Sequence, residues 1–443
     1  MAGAAESDGA TDMLGQDHLT SERLVAACAE DGEFRLAARH WTGGLRLEGP
    51  AGAIGLRLRD GEAAAGVPDG GAAGVIALSA GDDVWAELLA ATPKRLCNDI
   101  FLLIGAGRMT SASDPVLYAQ YYPAVMRAIE LLRPPATPAM PDQPSRPTGA
   151  FDSPVGRYVH LDLLGRDYRV YFEEAGAGAP LLLQHTAGCH GSQWRHLFER
   201  REITDRFRLI AYDLPFHGKS LPPVGPKWWG EEYLLTKEFL RAVPVSLANA
   251  LGLDRPVFMG CSVGGLLALD LARHCPEVFS AVISLEGALA IPGRLSQLDA
   301  LWHPQVSNDY KARLMNGLMS PSSPEAFRKE TSAVYASGWP PAFRGDLYYY
   351  LEDYDLTAEA GAIDTGRTPV HILTGEYDGS GTLELGRAAH AAIPGSTWTA
   401  MPGVGHFPMS ENPDAFIAHL MPVLESVHAH WLAGAAASEV VGS

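Results

Sequence analysis

Ser262 stands in the pentapeptide Gly260-Cys261-Ser262-Val263-Gly264, between an apolar run, Pro256-Val257-Phe258-Met259, and a helical pattern from Gly265 to Ala272. A serine on a tight strand-to-helix turn projects its hydroxyl clear of the backbone. The helix N-terminus beside it offers unpaired N–H groups to a developing oxyanion. The flanking glycines suit a crowded turn in which side chains would clash. The chemistry implied is nucleophilic attack, with a base removing the serine proton as it attacks. Cys261 reads as a small apolar filler of the turn rather than a reactive group.

Such a turn needs a sheet behind it. Near-continuous apolar runs at Leu181–Leu183, Phe207–Tyr212, Val257–Met259, Ala281–Leu285 and Val370–Leu373 alternate with helical segments. That rhythm predicts a parallel sheet covered on both faces, with a hairpin at Arg157–Leu161 and Tyr168–Phe172 leading in. Ligands in such sheets bind at the carboxyl ends of the strands. Those ends carry Gln184-His185-Thr186-Ala187-Gly188, Asp213 to Ser220, the serine turn, Glu286, and Gly375-Glu376-Tyr377-Asp378, followed by Gly403-Val404-Gly405-His406-Phe407.

With these motifs in place, residues 155–432 resemble the α/β-hydrolase fold, with Ser, Asp and His in the family's chain order. The resemblance implies a triad of Ser262 as nucleophile, His406 as general base and then acid, and Asp378 orienting the imidazole. Glu286, at the end of its strand, is the alternative acid. The oxyanion donors it implies are the N–H groups of Val263 and Ala187. The loop carrying Ala187 usually reads His-Gly-x in the family, whereas here it reads His185-Thr186-Ala187. His185 and His217 are expected mainly to brace loops, and Asp213 to organise its own turn.

Residues 287–368 are far longer than an α/β crossover needs and are expected to form a cap. Its aromatic density, with Trp339 and Tyr349 among others, and the pair Trp228-Trp229 point to a pocket for a bulky apolar or aromatic substrate, with His185 beside it. The implied activity is cleavage of a carboxylic ester through an acyl-enzyme, with no metal and no organic cofactor. A carbon–carbon (diketone) hydrolase, a lactonase and an amidase share the same three residues. A dehalogenase or epoxide hydrolase of this fold would carry Asp in place of Ser262. The reading of another class is a non-catalytic receptor or carrier for an apolar ligand.

Outside this region, residues 1–19 are expected to be disordered or loosely ordered, and residues 134–150 are expected to form a linker, with six prolines from Pro134 to Pro147. Between them, residues 20–133 predict a small α+β domain with a curved antiparallel sheet. Strands are expected at Glu33–Arg39, Gly52–Arg59 and Gly74–Ser79, and helices at Asp82–Leu89 and Pro115–Leu132. This order, with Gly74 to Leu89 reading GVIALSAGDDVWAELL, resembles the sterol-carrier-protein-2-like family, which implies an apolar ligand cavity. The alternative is a packing domain that forms a homodimer. The hydrolase-like core is expected over 151–286 and 369–432, with a tail at 433–443.

The 443 residues carry 34 Lys and Arg against 52 Asp and Glu, a net charge of −18. That balance disfavours nucleic acid or an anionic membrane as partner. No apolar run is long enough to span a bilayer, and no secretory pattern is visible at the N-terminus. Five scattered cysteines without C-x-x-C spacing argue against a metal site or disulfide framework and fit a cytoplasmic protein.

Overall fold

A computed structural model describes residues 19–135 and 147–441. The expected N-terminal segment and most of the proline-rich stretch lie outside the described residues. The chain divides into two compact units. One is Met1–Thr137 with His303–Gly317; the other is Pro138–Trp302 with Leu318–Ser443.

The N-terminal unit is built on a five-stranded sheet of β1 (Gly43–Gly49), β2 (Gly52–Arg59), β3 (Glu62–Ala65), β4 (Val75–Ala80) and β5 (Met109–Ser111), in the order β3-β2-β1-β4-β5. The sheet is mixed rather than antiparallel throughout, because β1 and β4 run parallel. The segment expected as a strand at Glu33–Arg39 lies within the helix Gly32–Ala38 and its C-cap, Arg39. Its apolar spacing serves either period. The Asp31 carboxylate, accepting from Phe34 N at 2.7 Å, caps the helix and decides for it. Trp41, Trp85, Phe34 and Tyr122 are fully buried and fill the core.

The helix Asn308–Gly317, expected as part of the cap, belongs to this unit instead. Arg313 pairs with Glu130 at 2.6 Å, and Asn98 Nδ2 donates to Gly317 O at 2.7 Å. A buried guanidinium needs a carboxylate, and Glu130 supplies it.

The second unit holds an eight-stranded sheet of β6 (Val155–Leu163), β7 (Arg166–Ala175), β8 (Ala179–Gln184), β9 (Phe207–Tyr212), β10 (Val257–Cys261), β11 (Ala281–Leu285), β12 (Val370–Gly375) and β13 (Thr397–Met401). The order is β13-β12-β11-β10-β8-β9-β7-β6. The sheet is parallel from β13 to β9, and the β6–β7 hairpin joins β9 antiparallel. Strands β8, β10, β11 and β12 are buried along their whole length, the signature of a sheet covered on both faces. One face packs Leu183, Met259 and Ile283 against Phe416, Leu420 and Leu424 of the helix Pro413–Val441. That helix runs on into the expected tail as far as Val441, because alanine-rich chain favours helix.

Candidate active site

The elbow glycines are set by close approach, not by backbone freedom. A Cβ on Gly260 would meet Gly264 O at 2.4 Å, and one on Gly265 would meet Leu285 O at 2.2 Å. Small residues therefore let the helix Val263–His274 sit directly on β10 and β11. Ser262 itself takes the strain, at φ 59° and ψ −115°. Such a conformation costs about 1–3 kcal/mol and persists only where surrounding contacts hold it. Here Ser262 N donates to Leu285 O and Leu266 N donates to Ser262 O, both at 2.9 Å. Val263 is the first residue of the helix, so its N–H has no acceptor within it. Cys261 is fully buried, with its thiol on His406 O at 3.2 Å. Burial, and after it the acidic groups nearby, push that thiol up, so it stays protonated.

His406 and Asp378 come together. Nδ1 of His406 lies 2.8 Å from Asp378 Oδ2, with both side chains buried. The ring N–H points off the line to the oxygen, so this is a close contact rather than a straight hydrogen bond. Asp378 Oδ1 accepts from Ser380 N at 2.7 Å and Oδ2 from Gly381 N at 3.0 Å. Glu286 has a left-handed backbone, φ 53°, and its carboxyl meets Gly375 N at 3.0 and 2.9 Å. Of the two acids weighed for the imidazole, Asp378 makes this contact.

The loop carrying His406 is anchored by a residue that no local pattern signals. Glu411 is fully buried and accepts from Gly405 N (2.7 Å), Phe407 N (3.3 Å), Ser320 N (3.1 Å) and Ser323 Oγ (2.8 Å). Burial raises its carboxyl above the usual range, and these donors work against that rise.

On the other side of the elbow, the Thr186 side chain that replaces the usual glycine is tied down. Its N–H and hydroxyl both donate to Gln193 Oε1, at 3.1 and 3.0 Å, and its hydroxyl also bonds Tyr335. The Thr186 N–H is therefore occupied, while the Ala187 N–H has no acceptor among the described hydrogen bonds. Gly188 N donates to Asp346 Oδ2 at 2.7 Å. Asp346 also accepts from His217 Nε2 at 2.8 Å and Tyr233 OH at 3.0 Å. Burial alone would lower His217, but the charge and hydrogen bond of Asp346 outweigh it and hold it above its ordinary value. His185, expected beside the pocket, is held inside the protein. It is fully buried, its Nδ1 donates to Thr186 O at 2.7 Å, and its Nε2 accepts from Leu214 N at 3.0 Å. Burial keeps it neutral.

Residues 181–419, more than half of the chain, match the alpha/beta hydrolase family. The chain belongs to that family. Among relatives, it is 29% identical over 240 residues to a pimeloyl-[acyl-carrier protein] methyl ester esterase of Methylococcus capsulatus, covering 49% of this chain and 84% of that one. It is 25% identical over 285 residues to an uncharacterised protein of Mycobacterium tuberculosis, covering 56% and 76%. A thermophilic esterase structure from Thermogutta terrifontis superposes with a TM-score of 0.54 at 23% identity, over 61% of this chain and 99% of that one. That likeness shows the fold.

In the segment expected to form the cap, it is Tyr350 and not the expected Tyr349 that comes near the elbow. After the cap helix Pro340–Tyr348 the chain widens into a π-turn, Tyr349–Asp353. Tyr349 is fully buried, facing Asp270 and Tyr354. Its neighbour Tyr350 bonds Ser380 Oγ at 2.9 Å and faces the Ser262 hydroxyl. Trp228 and Trp339 line a separate cavity of about 230 Å³ with Phe216, Tyr168, Tyr233 and Phe239, and Trp229 is 67% exposed. None of the three tryptophans lies in a described contact with Ser262. Among the described residues no cluster of His, Cys, Asp or Glu has the arrangement of a metal site, and no helix is long and apolar enough to cross a membrane.

Proposed function

We propose that this alpha/beta hydrolase cleaves a carboxylic ester of a bulky apolar or aromatic small molecule through an acyl-enzyme. Ser262 attacks the carbonyl carbon while His406 takes its proton. The Val263 and Ala187 N–H groups receive the oxyanion. His406 then returns the proton to the leaving alcohol, and a water repeats the sequence to free the acid. Asp378 holds the imidazole and stabilises its charged form. The observation that carries this reading is the strained Ser262 on its elbow, in one unit with the His406–Asp378 contact at 2.8 Å. Relatives named as methyl ester esterases favour an ester over the other acyl substrates that the same residues serve.

The tyrosine-rich cap around Tyr350 favours an apolar acyl or alcohol part. For the N-terminal unit, the tryptophan-filled core favours a packing or dimerising module over a lipid carrier. Five free cysteines, all buried, suit a reducing compartment such as the cytoplasm.

The test is a substrate panel: methyl, alkyl and aryl esters of short and bulky acids, with a lactone, an anilide and a vinylogous diketone beside them. Turnover of bulky esters, lost in Ser262→Ala, is expected. Cleavage of the diketone with no ester turned over would move the assignment to carbon–carbon hydrolysis.

A further inference from the structure

Two fully buried carboxyls lie side by side behind His406, and only one of them has an obvious task. Glu286 ends β11 with a left-handed backbone, and Asp378 sits in the loop after β12; neither has any exposed surface. Gly375 joins them: its N–H lies on the Glu286 carboxyl at 3.0 and 2.9 Å, and its carbonyl accepts from Asp378 N at 3.3 Å. The two side chains also bond one another. Two adjacent carboxylates with no exposed surface cannot both be ionised at little cost, so one keeps a proton.

The donors decide which one. Asp378 accepts from Ser380 N at 2.7 Å and Gly381 N at 3.0 Å, and the His406 ring lies 2.8 Å away. Glu286 receives a single N–H divided between its two oxygens. Charge belongs on the better-solvated group, so the proton stays on Glu286, whose burial and proximity to Asp378 raise its carboxyl well above the usual range.

We propose that Glu286 is a neutral carboxylic acid whose O–H donates to Asp378, and that it acts as a positioning residue for the carboxylate that orients His406. This rests on the serine-hydrolase reading for its catalytic consequence, but not for its protonation. The donated bond fixes the Asp378 carboxylate with Oδ2 toward the ring. Besides Asp378, the titratable groups around this pair are His406, Glu411 from the following helix, Cys261 from the elbow and Tyr350 from the cap.

The experiment compares Glu286→Gln with Glu286→Leu and Asp378→Asn. A glutamine amide can donate to Asp378 and its carbonyl can accept from Gly375 N, so Glu286→Gln should keep kcat/KM and the acid limb of its pH profile close to wild type. Glu286→Leu should lose about 10–100-fold in kcat/KM with the acid limb displaced. Thermal unfolding supplies a readout independent of activity. A carboxyl raised in the folded state contributes stability that is complete below its unfolded value, about 4.3, and is lost as pH rises toward its folded one. The Tm of Glu286→Gln should therefore gain on wild type between about pH 5 and pH 8.

A Glu286→Gln variant as inactive as Asp378→Asn, or a Tm difference that does not change with pH, would overturn the proposal. If Glu286→Leu does not fold, the glutamine series still decides. If the wild type hydrolyses nothing and binds no serine-directed probe, the hydrolase reading fails while the Tm series still tests the proton.

Discussion

Asp346 ties the helix Pro340–Tyr348 to the loop of Ala187 and Gly188, and Asp346→Asn should therefore disturb both stability and turnover. Its carboxylate accepts from His217 Nε2 at 2.8 Å, Gly188 N at 2.7 Å and Tyr233 OH at 3.0 Å. His217 Nδ1 meets a second acceptor, Pro215 O, at 2.9 Å, so both ring nitrogens donate and the ring is an imidazolium. Removing one partner of a buried ion pair costs about 3–5 kcal/mol. Asparagine keeps the shape but turns an amide N–H₂ toward some of these donors. We expect about 4 kcal/mol near pH 6, in urea unfolding read through Trp228 and Trp339.

The loss should depend on pH in one direction. A histidine raised in the folded state contributes stability that is fully present below its unfolded value, about 6.5, and is lost as pH rises through its folded one. His185 and His190, which also face His217, are pushed down by burial and stay neutral, and Asp213 adds a second carboxyl. The penalty of Asp346→Asn should therefore shrink toward about 1–2 kcal/mol at about pH 9, where only neutral hydrogen bonds are lost. Because Gly188 follows Ala187, kcat/KM should fall as well. A penalty under about 1 kcal/mol, or one that is constant across this range, would refute the buried ion pair.

Two further variants probe the histidine loop and the cap. Glu411→Leu leaves three buried N–H groups, of Gly405, Phe407 and Ser320, without their acceptor, at about 1–3 kcal/mol each. Steady-state kinetics should show kcat falling with KM little changed; an unchanged kcat would mean the loop holds His406 without it. Tyr350→Phe removes the hydroxyl between Ser380 and Ser262, and kcat/KM for an aryl ester should drop about tenfold, the equivalent of one hydrogen bond. No drop would make Tyr350 a packing residue.

The elbow was legible in the sequence because its chemistry is local: strand, crowded turn and helix follow one another, and each glycine is needed where it stands. The parallel core was legible for the same reason, since buried strands are continuous apolar runs. The edge strand β13 was not, because Thr397–Met401 is only partly buried and half polar. Glu33–Arg39 was ambiguous between periods of two and 3.6, and a cap on Asp31 settled it. Tyr349 was expected to line a pocket on aromatic density alone, and density does not tell which of Tyr348, Tyr349 and Tyr350 is buried in packing and which meets Ser380. Asp346 and Glu411 carried no signal. Their partners lie on distant segments or in backbone N–H groups, and a buried acid reads in sequence like any exposed helix acid. Residues 303–317 join the N-terminal unit through contacts such as the Arg313–Glu130 pair, which is likewise non-local.

The central claim is that Ser262 is a nucleophile activated by His406 and oriented through Asp378. Intact-mass analysis after exposure to a fluorophosphonate tests it most directly. One phosphonyl adduct per chain is predicted on the wild type, mapping to the peptide that carries Ser262. The adduct should be absent from Ser262→Ala and form far more slowly on His406→Ala. An unlabelled wild type, or equal labelling of Ser262→Ala, would contradict the account.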